Sequence, residues 1–381
     1  MVNSITRREA GFLMSAGIAQ GQSGPRVTVV GAGAFGGWTA LHLLRAGARV
    51  TLVDSYGPGN SRASSGGETR ITRAAYEDRV YADLTLRALE IWKESERKWN
   101  RKIFTPCGVV RLEGKASTGA AKLLKVLKDS GAPHRHLTAA EATKQFPQFD
   151  FTRVESVIWE PKHGLLRARQ GCQAVRDAFE AEGGKFEQRA LKPGDRVEAD
   201  AVVWACGPWL GKLFPGLVPV KPTRQEVFFF GTPPGETIYD EQHMPCFIDD
   251  AEPDAHYYGT PGNDFRGLKL GDDAYGPDFD PDRGERRVSE SMYAKIRAYL
   301  KFRFPKMAAA PLVETRVCQY EVSPDAHLIL DKHPTQAKYW IAGGGSGHGY
   351  KLGAAVGERL SEMVLGKRAI DPFFSLARFK K

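Results

Sequence analysis

Residues 26–54 read RVTVV (26–30), GAGAFG (31–36), GWTALHLLRAGA (37–48) and RVTLVD (49–54). A β-branched run enters a turn built on Gly31, Gly33 and Gly36, a helical pattern follows, and a second strand ends on an acidic residue. The three glycines serve different ends. Gly31 permits the tight turn, Gly33 lets backbone approach a pyrophosphate, and Gly36 lets helix and strand pack closely. Ala34 and Phe35 open the helix whose amino end, with its N–H groups and positive dipole, faces the phosphates. Asp54, 18 residues after Gly36, is placed to accept hydrogen bonds from the hydroxyls of an adenosine ribose. The stretch predicts a dinucleotide site and leaves open whether the ligand is FAD or NAD.

Outward from this stretch, 381 residues suit two domains, or one domain with a large insertion. Hydrophobic residues make up 42% and charged residues 26%, an ordinary globular balance. The formal charge of +9 is scattered, with no arginine-rich stretch interleaved with aromatics, so nucleic-acid binding is not expected and an anionic cofactor or substrate accounts for part of the excess. Cys107, Cys172, Cys206, Cys246 and Cys318 are odd in number and widely spaced, which argues against a disulfide framework and against a zinc site. No apolar run is long enough to span a membrane. Residues 1–24 form a leader or flexible extension. Thr6-Arg7-Arg8 precedes an uncharged stretch, Ala10 to Ala19, an order that resembles a twin-arginine export signal. Export to the periplasm and a basic extension on a cytoplasmic protein both remain open.

Along the chain, residues 55–70 are a Gly/Ser-rich loop, and a long amphipathic helix follows with Leu84, Ala88 and Trp92 inward. KIFTPCGVVRLEG (102–114) alternates like one strand after a turn, and 139–146 reads as a short helix stopped before Pro147. The segment from His163 to Phe186 resembles a βαβ element returning to the first sheet. ADAVVWACG (199–207) predicts a buried central parallel strand. Residues 220–315 carry several strand-like runs and one helix (288–303), which suits an antiparallel sheet. YWIA (339–342) then leads into GGGSGHGYK and a helix from Leu352 to Leu365.

Four separated motifs, VVGAGAFG (29–36), GGETRITRAAY (66–76), RVCQYEVSPDAHLIL (316–330) and GGGSGHGYKLGAAVGE (343–358), resemble in order those of the FAD-dependent amine oxidases of the monomeric sarcosine oxidase and N-methyltryptophan oxidase group, within the D-amino-acid-oxidase-like family. The match covers roughly residues 26 to 378. It implies an α/β fold: a Rossmann-like FAD-binding domain from 25–100, 157–218 and 326–378, and an α+β substrate domain on an antiparallel sheet from 101–156 and 219–325. It implies FAD, bonded covalently through Cys318 to the 8α-methyl carbon of the ring, with Arg316 expected to favour the thiolate. Gly345, Gly347, His348 and Gly349 join Gly31, Gly33, Ala34, Phe35, Gly36 and Asp54 around the cofactor, and Arg70 lies near its ring.

By the same resemblance Arg73 and Lys351 bind a substrate carboxylate, which suits a planar guanidinium beside a point charge. Lys269 is implied to activate dioxygen near the flavin, where a fixed cation stabilises developing superoxide, and Tyr258 lines the substrate site. Gly66 and Asp273 stand where the sarcosine oxidases carry two active-site histidines. The missing imidazole is expected to open space and the carboxylate to add negative charge, pointing to a larger or more cationic amine with Asp273 as its partner. The implied activity is oxidation of the C–N bond of a secondary amino acid by a monomer, with dioxygen giving hydrogen peroxide. A dehydrogenase passing electrons to a carrier is the alternative, and a non-catalytic flavin-binding protein is the reading from another class.

Overall fold

Alternating apolar residues in RVTVV and RVTLVD place side chains on both faces of a strand, and such strands are stable only when covered on both sides. In the computed structural model, which describes residues 24–380 except 116, 118 and 252–255, Arg26–Val30 is an interior strand of a six-stranded sheet. The order is Ile329–Lys332, Tyr339–Gly343, Ala201–Trp204, Arg26–Val30, Arg49–Asp54, Lys185–Gln188; all neighbours are parallel except the first pair. One face packs Val27, Val29 and Leu52 against helices Ala34–Arg45, Arg79–Trp99, Ala168–Ala181 and Gly353–Val364. The other packs Val30, Val53, Val202 and Trp204 against Leu210 and Phe214. The predicted central strand at 199–207 is thus found between two parallel neighbours, and its run of apolar residues follows from having both faces buried.

The second sheet has eight strands in the order Leu312–Val322, Lys221–Phe230, Leu268–Asp272, Tyr257–Thr260, Cys246–Asp250, Val109–Glu113, Ser156–Glu160, Arg135–Thr138. Neighbours are antiparallel except Cys246–Asp250 beside Val109–Glu113. Helix Glu290–Arg303 covers one face through Ile296, Tyr299 and Leu300 against Phe228, Phe230 and Phe247. Three short strands, Thr69–Thr72, Gly164–Arg167 and Phe104–Thr105, form a third sheet.

Three expectations need correction. Residues 102–114 are two strands in different sheets, because Gly108 takes a left-handed φ of +83° and redirects the chain. The element from His163 begins with Gly164–Arg167 in the small sheet, and only Lys185–Gln188 joins the six-stranded one. The boundary at 157 falls inside Ser156–Glu160, a strand of the eight-stranded sheet whose Val157 and Ile158 are buried. The short helix is Ala139–Gln145, started by a capping box of Thr138 and Glu141 that satisfies two end N–H groups. The leader lies almost wholly outside the described residues, and among those described no helix is long and apolar enough to cross a membrane.

Within the large sheet's core, Arg303 and Asp249 are both fully buried, Nε donating to Oδ2 at 2.8 Å, and Tyr299 donates to the same oxygen at 2.8 Å. Removing one member of such a buried pair leaves an uncompensated charge, at a cost of about 3–5 kcal/mol. Asp249→Ala is therefore expected to lower the unfolding free energy by about that amount in urea titration. A loss under about 1 kcal/mol would contradict this account of the core.

Candidate active site

The turn after Arg26–Val30 opens into a cavity of about 300 Å³. Gly31 sits at φ +104°, and a Cβ there would lie 2.3 Å from the carbonyl oxygen of Ala205. A Cβ on Gly36 would lie 1.8 Å from the carbonyl oxygen of Gly31, so helix and strand can approach only through glycine. At Gly33 the space in front of the backbone is open apart from Ser65 Oγ, 3.3 Å from where a Cβ would stand. Ser65 Oγ also accepts the Ala34 N–H at 3.1 Å, which pins the 55–70 loop to the helix start. Gly33, Ala34, Phe35, Asp54, Gly345, Gly347 and Gly349 line this cavity. A glycine-walled cradle at a helix amino end fits the pyrophosphate of a dinucleotide.

Asp54 lines the cavity, but its oxygens already hold backbone. Oδ2 accepts the Ala32 N–H and Oδ1 those of Tyr56 and Gly57, each at 2.8 Å. Burial pushes its carboxyl up, and the three N–H groups oppose that. The short aspartate side chain ties the second strand to the glycine turn before it offers anything to a ribose.

A second cavity of about 480 Å³ adjoins the first, and Arg70, Tyr320, Gly347 and Tyr350 belong to the walls of both. Arg70 is fixed by donating to Thr69 O at 2.8 Å and to Ser64 O at 2.6 Å, and its Nη2 lies 3.6 Å from Cys318 Sγ. Cys318 is buried on strand Leu312–Val322 and faces the second cavity. The guanidinium beside this sulfur is therefore Arg70. Arg316, expected to favour the thiolate, bonds to Glu68 at 3.1 Å and still acts on Cys318 by charge.

Arg73, Lys351, Lys269, Tyr258, Asp273 and His348 all line the second cavity. Glu160, buried at the end of its strand, accepts the N–H groups of Ala74 and Ala75 at 2.6 and 3.3 Å and so shapes the turn that presents Arg73. Arg73 donates to Ala75 O and lies 4.3 Å from the Tyr76 ring centroid, while Lys351 Nζ donates to Tyr76 Oη at 2.9 Å and to His348 O at 3.1 Å. One tyrosine thus holds both cations. Burial pushes the Lys351 ammonium well below its ordinary range, and Arg73 pushes the same way. His348 is fixed between Ala326 O at 3.0 Å and Tyr76 Oη at 3.3 Å; enclosure lowers its pKa to about 3, so it stays neutral.

Lys269 Nζ donates to Thr69 O at 3.0 Å and lies 5.7 Å from the Tyr258 ring; burial first, and Arg70 second, bring its pKa down to about 7. Asp273 is exposed on the wall of the second cavity. Tyr320 Oη donates to its Oδ1 at 2.6 Å, and desolvation pushes its carboxyl up. The space expected at Gly66 is not there: a Cβ would meet the carbonyl oxygen of Asn60 at 1.8 Å, and beside Gly67 the Arg70 guanidinium fills the corner. Sequence reasoning missed Tyr76 as the shared support, although it closes the motif GGETRITRAAY. It also missed Glu321, buried on the wall of the first cavity with Oε1 accepting the Gly345 N–H at 3.2 Å, and raised to about 7 by burial.

Comparison with known proteins places this geometry among relatives. Residues 26–363 match the family described as FAD dependent oxidoreductase (DAO). Monomeric sarcosine oxidase of Bacillus sp. (strain B-0618) is 34% identical over 376 residues, covering 92% of this chain and 95% of that protein. N-methyl-L-tryptophan oxidase of Yersinia pestis (strain Pestoides F) is 29% identical, covering 92% and 98%. Among solved structures, L-proline dehydrogenase from P. horikoshii superposes with a TM-score of 0.80 at 19% identity, covering 93% of this chain and 98% of that one. A thermally stable fructosyl peptide oxidase mutant does so with the same score and identity, covering 93% and 94%. These two establish likeness of fold.

The depressed Lys269 has a consequence for stability. From about pH 7 to its unfolded value of about 10.4, the unfolded chain binds a proton that the folded chain does not, so this group makes stability rise with pH across that window. Lys269→Met is expected to stabilise the protein at pH 7.5 and to flatten the rise towards pH 9.5, as read from urea unfolding of both proteins. Parallel curves would contradict a buried, depressed lysine.

Proposed function

Because the chain belongs to the FAD dependent oxidoreductase family, we propose that it oxidises the C–N bond of a secondary, N-alkyl amino acid and returns the electrons to dioxygen, releasing hydrogen peroxide. The observation that carries this reading is the convergence of Arg73 and Lys351 on Tyr76, in the same cavity as Lys269 and Cys318 and across Arg70 from the glycine cradle. Bound FAD supplies the two-electron acceptor. Gly31, Gly33, Ala34 and Phe35 would hold its pyrophosphate in a Rossmann-like half that Gly36 packs together, Gly345, Gly347 and Gly349 would lie along it, and Cys318 would be the residue that anchors its ring covalently. The acting unit is a single chain.

Arg73 and Lys351 grip the substrate carboxylate and orient the neighbouring carbon and nitrogen, which lowers the barrier by fixing position. Their charge also disfavours the substrate's ammonium, leaving the amine neutral and able to give up electrons without a side-chain base. His348, neutral and already bonded on both ring nitrogens, leaves that role vacant. Lys269 lies in a buried wall of the same cavity, and with its pKa brought down to about 7 it takes up a proton to become a cation as negative charge develops on dioxygen beside it. Asp273, anchored by Tyr320, offers a carboxylate to a hydrogen-bond donor on a larger or more cationic amine.

A panel of N-alkyl amino acids assayed for peroxide, with dye reduction in parallel, tests the reaction; dye reduction without oxygen uptake would move the assignment to a carrier-dependent dehydrogenase. Arg73→Gln is expected to raise KM for a carboxylated amine roughly 10–100-fold, the worth of hydrogen bonds between charged groups, with a smaller change in kcat. Unchanged KM would remove the carboxylate grip. Asp273→Asn should lower kcat/KM for cationic amines more than for neutral ones, and equal effects would remove its part in selection.

A further inference from the structure

Away from the chemistry proposed above, Cys107 and Cys246 bring their sulfurs to 3.7 Å. They are far apart in sequence and meet because two backbone features hold them. Gly108, at φ +83°, turns the chain out of the small sheet, and its carbonyl accepts the Cys246 N–H at 3.0 Å. Val109, just past this turn, pairs with Cys246 where Val109–Glu113 runs beside Cys246–Asp250. Cys246 is fully buried beside Val109 and Leu165, whereas Cys107 is only half-buried. The two thiols are also unlike in chemistry. The hydrogen bond from Cys246 draws the Cys107 thiol down against the effect of burial, while burial drives the Cys246 thiol well up. Cys107 is thus the less covered and more acidic of the two thiols, and Cys246 its fully covered partner.

The pair sits on the flank of the second cavity. Ile71, which lines that cavity, packs on the same small cluster as Cys107, and the Lys269 ammonium acts on Cys246. Phe247 pairs with Gly259 and Thr260 with Lys269, so Cys246, Thr260 and Lys269 follow one another across adjacent strands.

We propose that Cys107 and Cys246 form an oxidisable dithiol that peroxide converts into a disulfide. In the first step the Cys107 thiolate attacks one oxygen of hydrogen peroxide; an S–O bond forms, the O–O bond breaks and hydroxide leaves. The sulfur loses two electrons and the peroxide gains them. In the second, the Cys246 sulfur attacks the sulfenic sulfur of Cys107; an S–S bond forms, the S–O bond breaks and water leaves with the thiol proton. The sum is two thiols and one peroxide to one disulfide and two waters. Closing 3.7 Å to the ~2.05 Å of a disulfide asks about 0.8 Å of each sulfur, within the reach of side-chain rotation beside a glycine turn. Burial pushes the Cys172 thiol up to about 12 and that of Cys206 higher still, which leaves both unreactive towards the same reagent.

The test treats the purified holoprotein with added hydrogen peroxide and no amine, so that its outcome does not depend on the substrate or acceptor proposed above. Alkylation and peptide mapping are expected to show a Cys107–Cys246 link that dithiothreitol reverses. Cys246→Ser should instead accumulate a dimedone adduct on Cys107, and Cys107→Ser should give neither product. Wild-type protein that keeps both thiols alkylatable, or dimedone label that fails to appear on Cys107 of the Cys246→Ser protein, would overturn the proposal.

Discussion

A single guanidinium stands between the two cavities. Arg70 reaches Ser64 and Thr69 through their carbonyls and Cys318 through its sulfur, and so joins the loop after the first βαβ unit to a strand of the other large sheet. Its place follows from the small sheet, where Arg70 pairs with Leu166. Without that strand the motif GGETRITRAAY would be one more surface loop. With it, a cradle for phosphates and a cage of cations open onto the same wall, and a dinucleotide lying in one can present its ring to the other.

The second consequence is electrostatic. Lys269 and Lys351 are buried, and among the described residues no carboxylate bonds to either Nζ; carbonyl, hydroxyl and phenol oxygens hold them instead. Burial and the neighbouring arginines lower the proton affinity of both. A site of this kind strains against its own charge and is relieved by an anion, so binding of a carboxylate and ordering of the cavity are expected to go together. The core beneath helix Glu290–Arg303 uses the opposite solution, a fully paired Arg303 and Asp249. One charged cluster is closed by direct pairing, whereas in the other Asp273 and Glu160 act on Lys351 without bonding to it.

Much of this was legible in the sequence. The strand, glycine turn and helix at 26–54 were readable because the period changes from two to 3.6 at residues only glycine suits. Cys318, Arg73 and Lys351 stand inside the four ordered motifs, whereas Lys269 lies outside them and entered only through the family resemblance. What escaped was contact across sheets. Nothing in the spacing says that Tyr76 supports two cations at once, that Arg70 comes within 3.6 Å of the Cys318 sulfur, or that the cysteines at 107 and 246 touch. Gly66 misled because an absent side chain suggests space, whereas here backbone fills it. The split of 102–114 escaped because two short strands joined at a glycine alternate like one.

Central to this account is the proposal that one dinucleotide spans both cavities, its pyrophosphate at the glycine cradle and its ring by Cys318. The most direct measurement is to denature the purified protein in acid, digest it and follow flavin absorbance among the peptides. The account predicts that the yellow colour stays with the peptide containing Cys318. Colour released as free flavin into the acid supernatant, or carried by a peptide from another part of the chain, would contradict it.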